Sequence, residues 1–209
     1  MPGPVTHIIL ADKVFDHCFP EKDRRLFYLG TLFPDIRYLG VIARDQTHPK
    51  VSGIEEIAGF DNFQAGIAFH ALCDQITREY MVAHQAARSE TTNPYSGFLL
   101  KLAVDMHAYA YRSDWQTIAG YLDHLPEEAT TFGISRTHMA AWHRLLKQYL
   151  SGPPDPELMV NLARQAGIQP VANSQPPPTL DELKNNQAVA TLVADFFGQF
   201  DTLISKYSV

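Results

Sequence analysis

Apolar residues recur every three or four positions along most of the chain, the period of an α-helix with one buried face. Ile8, Leu10, Ala11, Val14 and Phe15 predict a first helix from His7 to Cys18, with Thr6 as its cap. A second, from Arg24 to Thr31, opens after Pro20-Glu21-Lys22-Asp23 and ends before Phe33-Pro34, because proline pushes the preceding residue out of helical geometry. Residues 35–60 contain Gly40, Pro49, Gly53 and Gly59 with no sustained period, so an irregular segment is expected. Asp61-Asn62 then starts a long helix, Phe63 to Arg88, with Phe63, Ile67, His70, Asp74, Thr77 and Met81 on one stripe. Asn93-Pro94 starts another, to Arg112. Ser113-Asp114 caps one to His124, and Ser135 leads one to Leu150. Asp155-Pro156-Glu157 opens one to Gln165, and Thr179 to Lys206 reads as a last amphipathic helix. No alternating run bounded by Asn-Gly or Asp-Gly turns is present. The expectation is an all-α fold with a single multi-helix domain. Residues 1–168 form its core, 169–178 a proline-rich connector containing Pro170 and Pro176-Pro177-Pro178, and 179–209 a C-terminal helix packing back on the core.

With 209 residues, 45% of them apolar and 11% aromatic, the chain can bury a core without staples and is not disordered. Only 19% are charged, too few for a coiled coil. Cys18 and Cys73 sit among apolar neighbours and read as buried thiols, consistent with a reducing compartment. The formal net charge is −6 and no basic run exists, which excludes an extended nucleic-acid surface. No apolar run approaches ~20 residues, so no membrane-spanning helix is expected. The N-terminus lacks both a basic region and a long apolar core, so no signal peptide is expected and a cytoplasmic location follows.

Nine histidines, several accompanied by aspartates, change the picture. His70 and Asp74 lie one turn apart on a nearly all-apolar helix, where both need partners. A metal ion supplies them; so would a plain histidine–aspartate hydrogen bond. Asp35 follows an apolar run and Pro34, His48 lies in the irregular segment, and His7 opens the first helix. Three imidazoles and two carboxylates without sulfur suit a water-activating zinc, manganese or iron site better than a structural zinc cage. Asp105, in an apolar stretch with His107 two residues on, is the best candidate for completing a second position, and Arg37 is a candidate for substrate binding.

The order Thr6-His7, then Leu29-Gly30-x3-Pro34-Asp35, then Thr47-His48, then His70-x3-Asp74 resembles the zinc-dependent phospholipase C family, an all-α group related to the single-strand nucleases. The resemblance covers roughly residues 1–80. It implies that His7, Asp35, His48, His70 and Asp74 are metal ligands, with Asp35 also the general base of a phosphoester hydrolase. The family's next histidine, six residues beyond the helix aspartate, is replaced by Tyr80, and its later His-x3-Glu pair is absent. One or two metal ions are therefore expected, rather than the family's three.

The expected function is a metal-dependent phosphoester hydrolase acting on a small molecule or lipid headgroup, with Arg37 or a second metal stabilising phosphoryl charge. A His-Asp domain phosphohydrolase fits less well, because the chain has Asp123-His124 but no adjacent His-Asp. The alternative is a non-catalytic helical binding or scaffold protein with a structural metal or none. The apolar stretch from Val189 to Leu203 could cover the core or a partner, and a homodimer is compatible with it.

Overall fold

The structure is a computed structural model describing residues 2–84, 96–154 and 185–207, with side chains described from 101 onward in the second segment. Among the described residues every regular element is helical. In chain order these are α1 (Pro4–Cys18), α2 (Arg24–Leu32), a 3-10 helix (Pro34–Leu39), α3 (Arg44–Thr47), α4 (Ile54–Gly59), α5 (Asn62–Ala83), α6 (Ser96–Ala108), a 3-10 turn (Tyr109–Tyr111), α7 (Trp115–Tyr121), a 3-10 helix (Glu127–Phe132), α8 (Arg136–Leu150) and α9 (Gln187–Ser205). None of the described helices is long and apolar enough to cross a membrane.

Local chemistry sets most boundaries. Asp23, Asp61, Asp114 and Ser135 accept backbone N–H bonds at the starts of α2, α5, α7 and α8, and Asn186 does the same at α9. Two expectations need correction. Residues 35–60 hold three short helical pieces, because a single turn is too brief to register as a period. Thr6 lies inside α1 rather than capping it, since the helix begins at Pro4. The expected helix at 155–165, the connector at 169–178, and the starts of the helices expected at 93 and 179 lie outside the described residues.

The core centres on α5, which packs most extensively on α2. Gly30 and Gly66 make that crossing close: a Cβ on Gly66 would run into the Phe27 carbonyl oxygen, and one on Gly30 into the Phe63 carbonyl. Phe15, Phe19, Phe27 and Phe69 pack edge-on or tilted beside this crossing. Helix α9 lies against α1, α5 and α6, burying Val193, Phe196, Phe200 and Ile204. From α8, the Trp142 indole donates to the Leu32 carbonyl at 3.0 Å and ties that helix to the end of α2.

Candidate metal centre

The five residues expected to ligate metal come from four elements and meet in one place. His7 belongs to the first turn of α1, Asp35 to the 3-10 helix after α2, His48 to the end of α3, and His70 and Asp74 to successive turns of α5. His7, His70, Asp74 and Asp35 are only 1%, 2%, 4% and 5% exposed. The His7 and His70 rings stack with centroids 3.8 Å apart, and His48 meets His70 edge-on at 5.1 Å. Donor atoms of His7, His70 and Asp74 lie within 4.8 Å of one another, and so do those of Asp35, His48 and His70.

The backbone fixes how each imidazole is presented. Nδ1 of His7 lies 3.0 Å from the Gly3 carbonyl, Nδ1 of His70 2.9 Å from the Thr31 carbonyl, and Nδ1 of His48 3.1 Å from the Arg44 carbonyl. A carbonyl oxygen can only accept, so Nδ1 of His7 and of His70 carries the hydrogen and their Nε2 atoms present lone pairs, while Nδ1 of His48 also meets the Thr47 hydroxyl at 3.0 Å. All three Nε2 atoms are buried without a hydrogen-bond partner among the described residues. Nε2 of His7 faces Asp74 Oδ1 at 3.7 Å, and Nε2 of His48 faces Asp74 Oδ2 at 3.4 Å, without hydrogen-bond geometry. A nitrogen lone pair opposite a carboxylate oxygen is repulsive unless a cation or proton lies between them. Such carbonyl-anchored imidazoles are how proteins orient metal ligands. The Thr31 anchor of His70 depends directly on the Gly30–Gly66 crossing, which brings α2 and α5 together.

Electrostatics reinforce this arrangement. Burial, and then the neighbouring His70, lower the pKa of His7 to about 3, outweighing the carboxylates, and burial also lowers His70. Both rings are therefore neutral at pH 7, the form that binds metal. Burial would raise Asp35, but Lys101 and the histidines outweigh it and bring it to about 2. For Asp74 burial is likewise overcome, by His48, His70 and His7, and its carboxyl sits well below the usual range.

Three cations border the two carboxylates. Lys101 Nζ lies 3.1 Å from Asp35 Oδ2, and Arg37 Nη2 lies 3.3 Å from Asp35 Oδ1 while its guanidinium stacks on Tyr38. Arg44 Nη2 donates to Asp74 Oδ2 at 2.9 Å, and its side chain is 45% exposed, so it marks the solvent side. The Lys101 side chain is only 12% exposed; burial disfavours its charge, but Asp35 overcompensates and raises its pKa. Arg37, the residue expected to bind substrate, is placed beside Asp35; Lys101 and Arg44 are not singled out by the sequence. A lysine inside Leu99-Leu100-Lys101-Leu102-Ala103-Val104 was the available signal, since a charge buried on an apolar helix needs a partner.

Asp105 does not join the cluster. Its carboxylate accepts from Val5 N (3.2 Å), Thr6 N (2.9 Å), the Thr6 hydroxyl (2.5 Å) and the Tyr149 hydroxyl (2.5 Å). It satisfies the free amides at the start of α1, supplying from α6 the cap that Gly3 cannot provide. The expectation that Asp105 completes a second metal position is thus corrected: its oxygens are filled by N–H and O–H donors. His107 is not part of either donor group. Glu79 lies on the surface with Gln75 and Tyr207. His143 is buried away from the cluster with Nδ1 on the Leu122 carbonyl at 2.9 Å.

No protein-family model, no curated protein and no solved structure matches the chain.

Proposed function

We propose that this chain is a metal-dependent phosphoester hydrolase, with zinc, manganese or iron held by His7, His48, His70, Asp35 and Asp74. One observation carries the reading: three buried imidazole Nε2 atoms, each fixed through Nδ1 to a backbone carbonyl, face two ionised carboxylates. That donor set fits a borderline-soft divalent ion and leaves no sulfur for a structural cage. When bound, such an ion lowers the pKa of coordinated water toward ~7 and so supplies a nucleophile at neutral pH.

The chain's own groups do the rest. Asp35 is ionised at neutral pH and is assigned as acceptor of a proton from the attacking water, although the Lys101 charge beside it weakens it as a base. Arg37 and Arg44 present guanidinium groups that match phosphoryl oxygens, with Arg44 at the solvent side. Two carboxylates bordered by three cations make a site that attracts anions even before metal is counted. A phosphodiester or phosphomonoester of a small molecule or lipid headgroup is the substrate class this chemistry suits.

The test is hydrolysis of bis(p-nitrophenyl) phosphate and p-nitrophenyl phosphate by protein reloaded with each metal. Turnover should fall by roughly 100-fold or more in Asp35→Asn with the helical fold intact. Burial of the cluster favours one rival, a non-catalytic protein clamped by metal. Bound metal with no turnover on any phosphoester would select that rival, and an inability to bind metal would overturn both.

A further inference from the structure

We infer that the centre holds one divalent ion, and that the Lys101 ammonium on Asp35 takes the place a second ion would occupy; this rests on the metal-dependent reading above. The first argument is valence. The two donor groups, His7–His70–Asp74 and Asp35–His48–His70, share His70. Its Nδ1 is committed to the Thr31 carbonyl, so only Nε2 can bind, and one lone pair cannot bridge two ions. Filling either group therefore takes from the other the ligand it needs. One ion can thus be held at this cluster, and not one in each group.

The second argument is the occupancy of Asp35. A carboxylate that bridges two ions needs an oxygen for each. Here Oδ2 already faces Lys101 Nζ at 3.1 Å, which leaves Oδ1, with Arg37 beside it at 3.3 Å, as the one oxygen for an ion. Lys101 comes from α6, which Asp105 locks to the start of α1 one turn further on, so the ammonium is held by the fold rather than by a mobile surface stem. The Tyr38 ring stands 5.3 Å from its nitrogen on another side.

The third argument is the absence of further ligands along α5. Beyond Asp74 the same helix face continues with Thr77 and Tyr80, neither of which offers a carboxylate, thiolate or imidazole. His84 follows, and its Nδ1 is on the Tyr80 carbonyl while its ring stacks on Tyr80. Lys101 is thus a positioning residue: it holds Asp35 in place through the 3.1 Å contact, at the cost of excluding a second cation.

The decisive measurement is metal stoichiometry. Full-length protein is stripped with chelator, reloaded with excess zinc or manganese, desalted, and analysed by plasma mass spectrometry. One equivalent is expected. Two or more would overturn this inference and leave the hydrolase reading standing, whereas none would overturn both. Lys101→Glu removes the ammonium and puts a carboxylate beside Asp35, a ligand that can stand in for the shared His70, and should raise the content to two equivalents. A folded Lys101→Glu protein that still holds one would overturn the role given to Lys101. Lys101→Met covers the case in which that variant does not fold. It should keep one equivalent and bind zinc at least ~10-fold more tightly in competition with a chelating dye, because a cation that repels the ion is gone. Unchanged or weaker binding would overturn the assignment, since a lysine that merely supports the fold would loosen the site when removed.

Discussion

Two buried acidic centres flank the first turn of α1, and they are built on opposite principles. Around Asp105, each carboxylate oxygen meets donors: two backbone amides, a threonine hydroxyl and a tyrosine hydroxyl. Around Asp74 and Asp35, three buried imidazole Nε2 atoms have no hydrogen-bond partner among the described residues and lie in the same space as the carboxylates. The first arrangement is complete as protein and serves the fold. The second, on the metal-dependent reading proposed above, is completed by a cation. Burial and residue type do not separate them; the count of satisfied donors and acceptors does.

Breaking the satisfied centre should cost the most. Asp105→Ala leaves the Val5 and Thr6 amides and the Tyr149 hydroxyl buried without an acceptor, at ~1–3 kcal/mol each. Partial solvation will absorb some of that, so a loss of about 3–5 kcal/mol in urea unfolding is expected. His70→Ala is the counterpart. It removes a ligand and one orphaned nitrogen, so it should cost far less in the metal-free protein while abolishing metal retention. Equal losses in the two metal-free variants would erase the distinction.

The next largest effect belongs to metal linkage. Ligand at about 1,000 times its Kd stabilises a protein by ~4 kcal/mol, and chelator should remove that increment from wild type and Asp105→Asn alike. His70→Ala should melt at the same temperature with and without chelator. A chelator-insensitive wild type would place the cluster in the same class as the Asp105 centre.

The sequence made the two centres hard to tell apart for a physical reason. His7, Asp35, His48, His70 and Asp74 were legible because short motifs and a helical i, i+4 pair constrain them locally. Asp105 looked equally chemical: an acid in an apolar helix needs a partner, and nothing local says which. Its partners lie about 100 residues away in α1, and such pairings leave no periodicity to read. The same holds for Lys101, whose acceptor is 66 residues distant. The long helices were legible from their apolar period, while the one-turn pieces between 34 and 59 were not. The Gly30–Gly66 crossing was invisible for the opposite reason: a glycine in a helix reads as a weakness until its neighbour's backbone is seen against it.

That crossing gives a smaller, sharper test. In Gly66→Ala the new methyl would meet the Phe27 carbonyl oxygen and the Thr31 amide nitrogen, the latter 2.7 Å away. Helices α2 and α5 must separate, at about 1–3 kcal/mol for overpacking in a close-packed core. The Thr31 carbonyl that orients His70 moves with α2, so metal affinity should fall although no ligand has changed. Asp105→Asn, of similar expected cost, should leave affinity intact. Titration of both variants with zinc against a chelating dye separates a site that depends on one helix crossing from a fold that depends on a cap.

The smallest effect is a pH dependence that distinguishes the centres without disturbing either backbone. His7 has a folded pKa of about 3 against an ordinary 6.5. The unfolded chain therefore takes up a proton on acidification before the folded one does, and stability falls with pH. The contribution of His7 is fully present above pH 6.5, declines as pH drops through that value, and is exhausted near 3. Between pH 6.5 and 5.5 the loss is about 1 kcal/mol, read from urea midpoints of metal-free protein. His143, buried on the Leu122 carbonyl and lowered to about 4, adds a loss of the same sign from outside the site. His7→Gln should accordingly flatten the profile in part, and His143→Gln should remove a further share. Asp35, at about 2 against an ordinary 3.8, contributes only as pH falls below 3.8, so it does not blur this window. If His7→Gln leaves the slope between 6.5 and 5.5 unchanged, His7 is already protonated in the folded protein. Its Nε2 would then donate to Asp74 instead of awaiting a metal, and the contrast between a finished centre and an unfinished one would fail at its first residue.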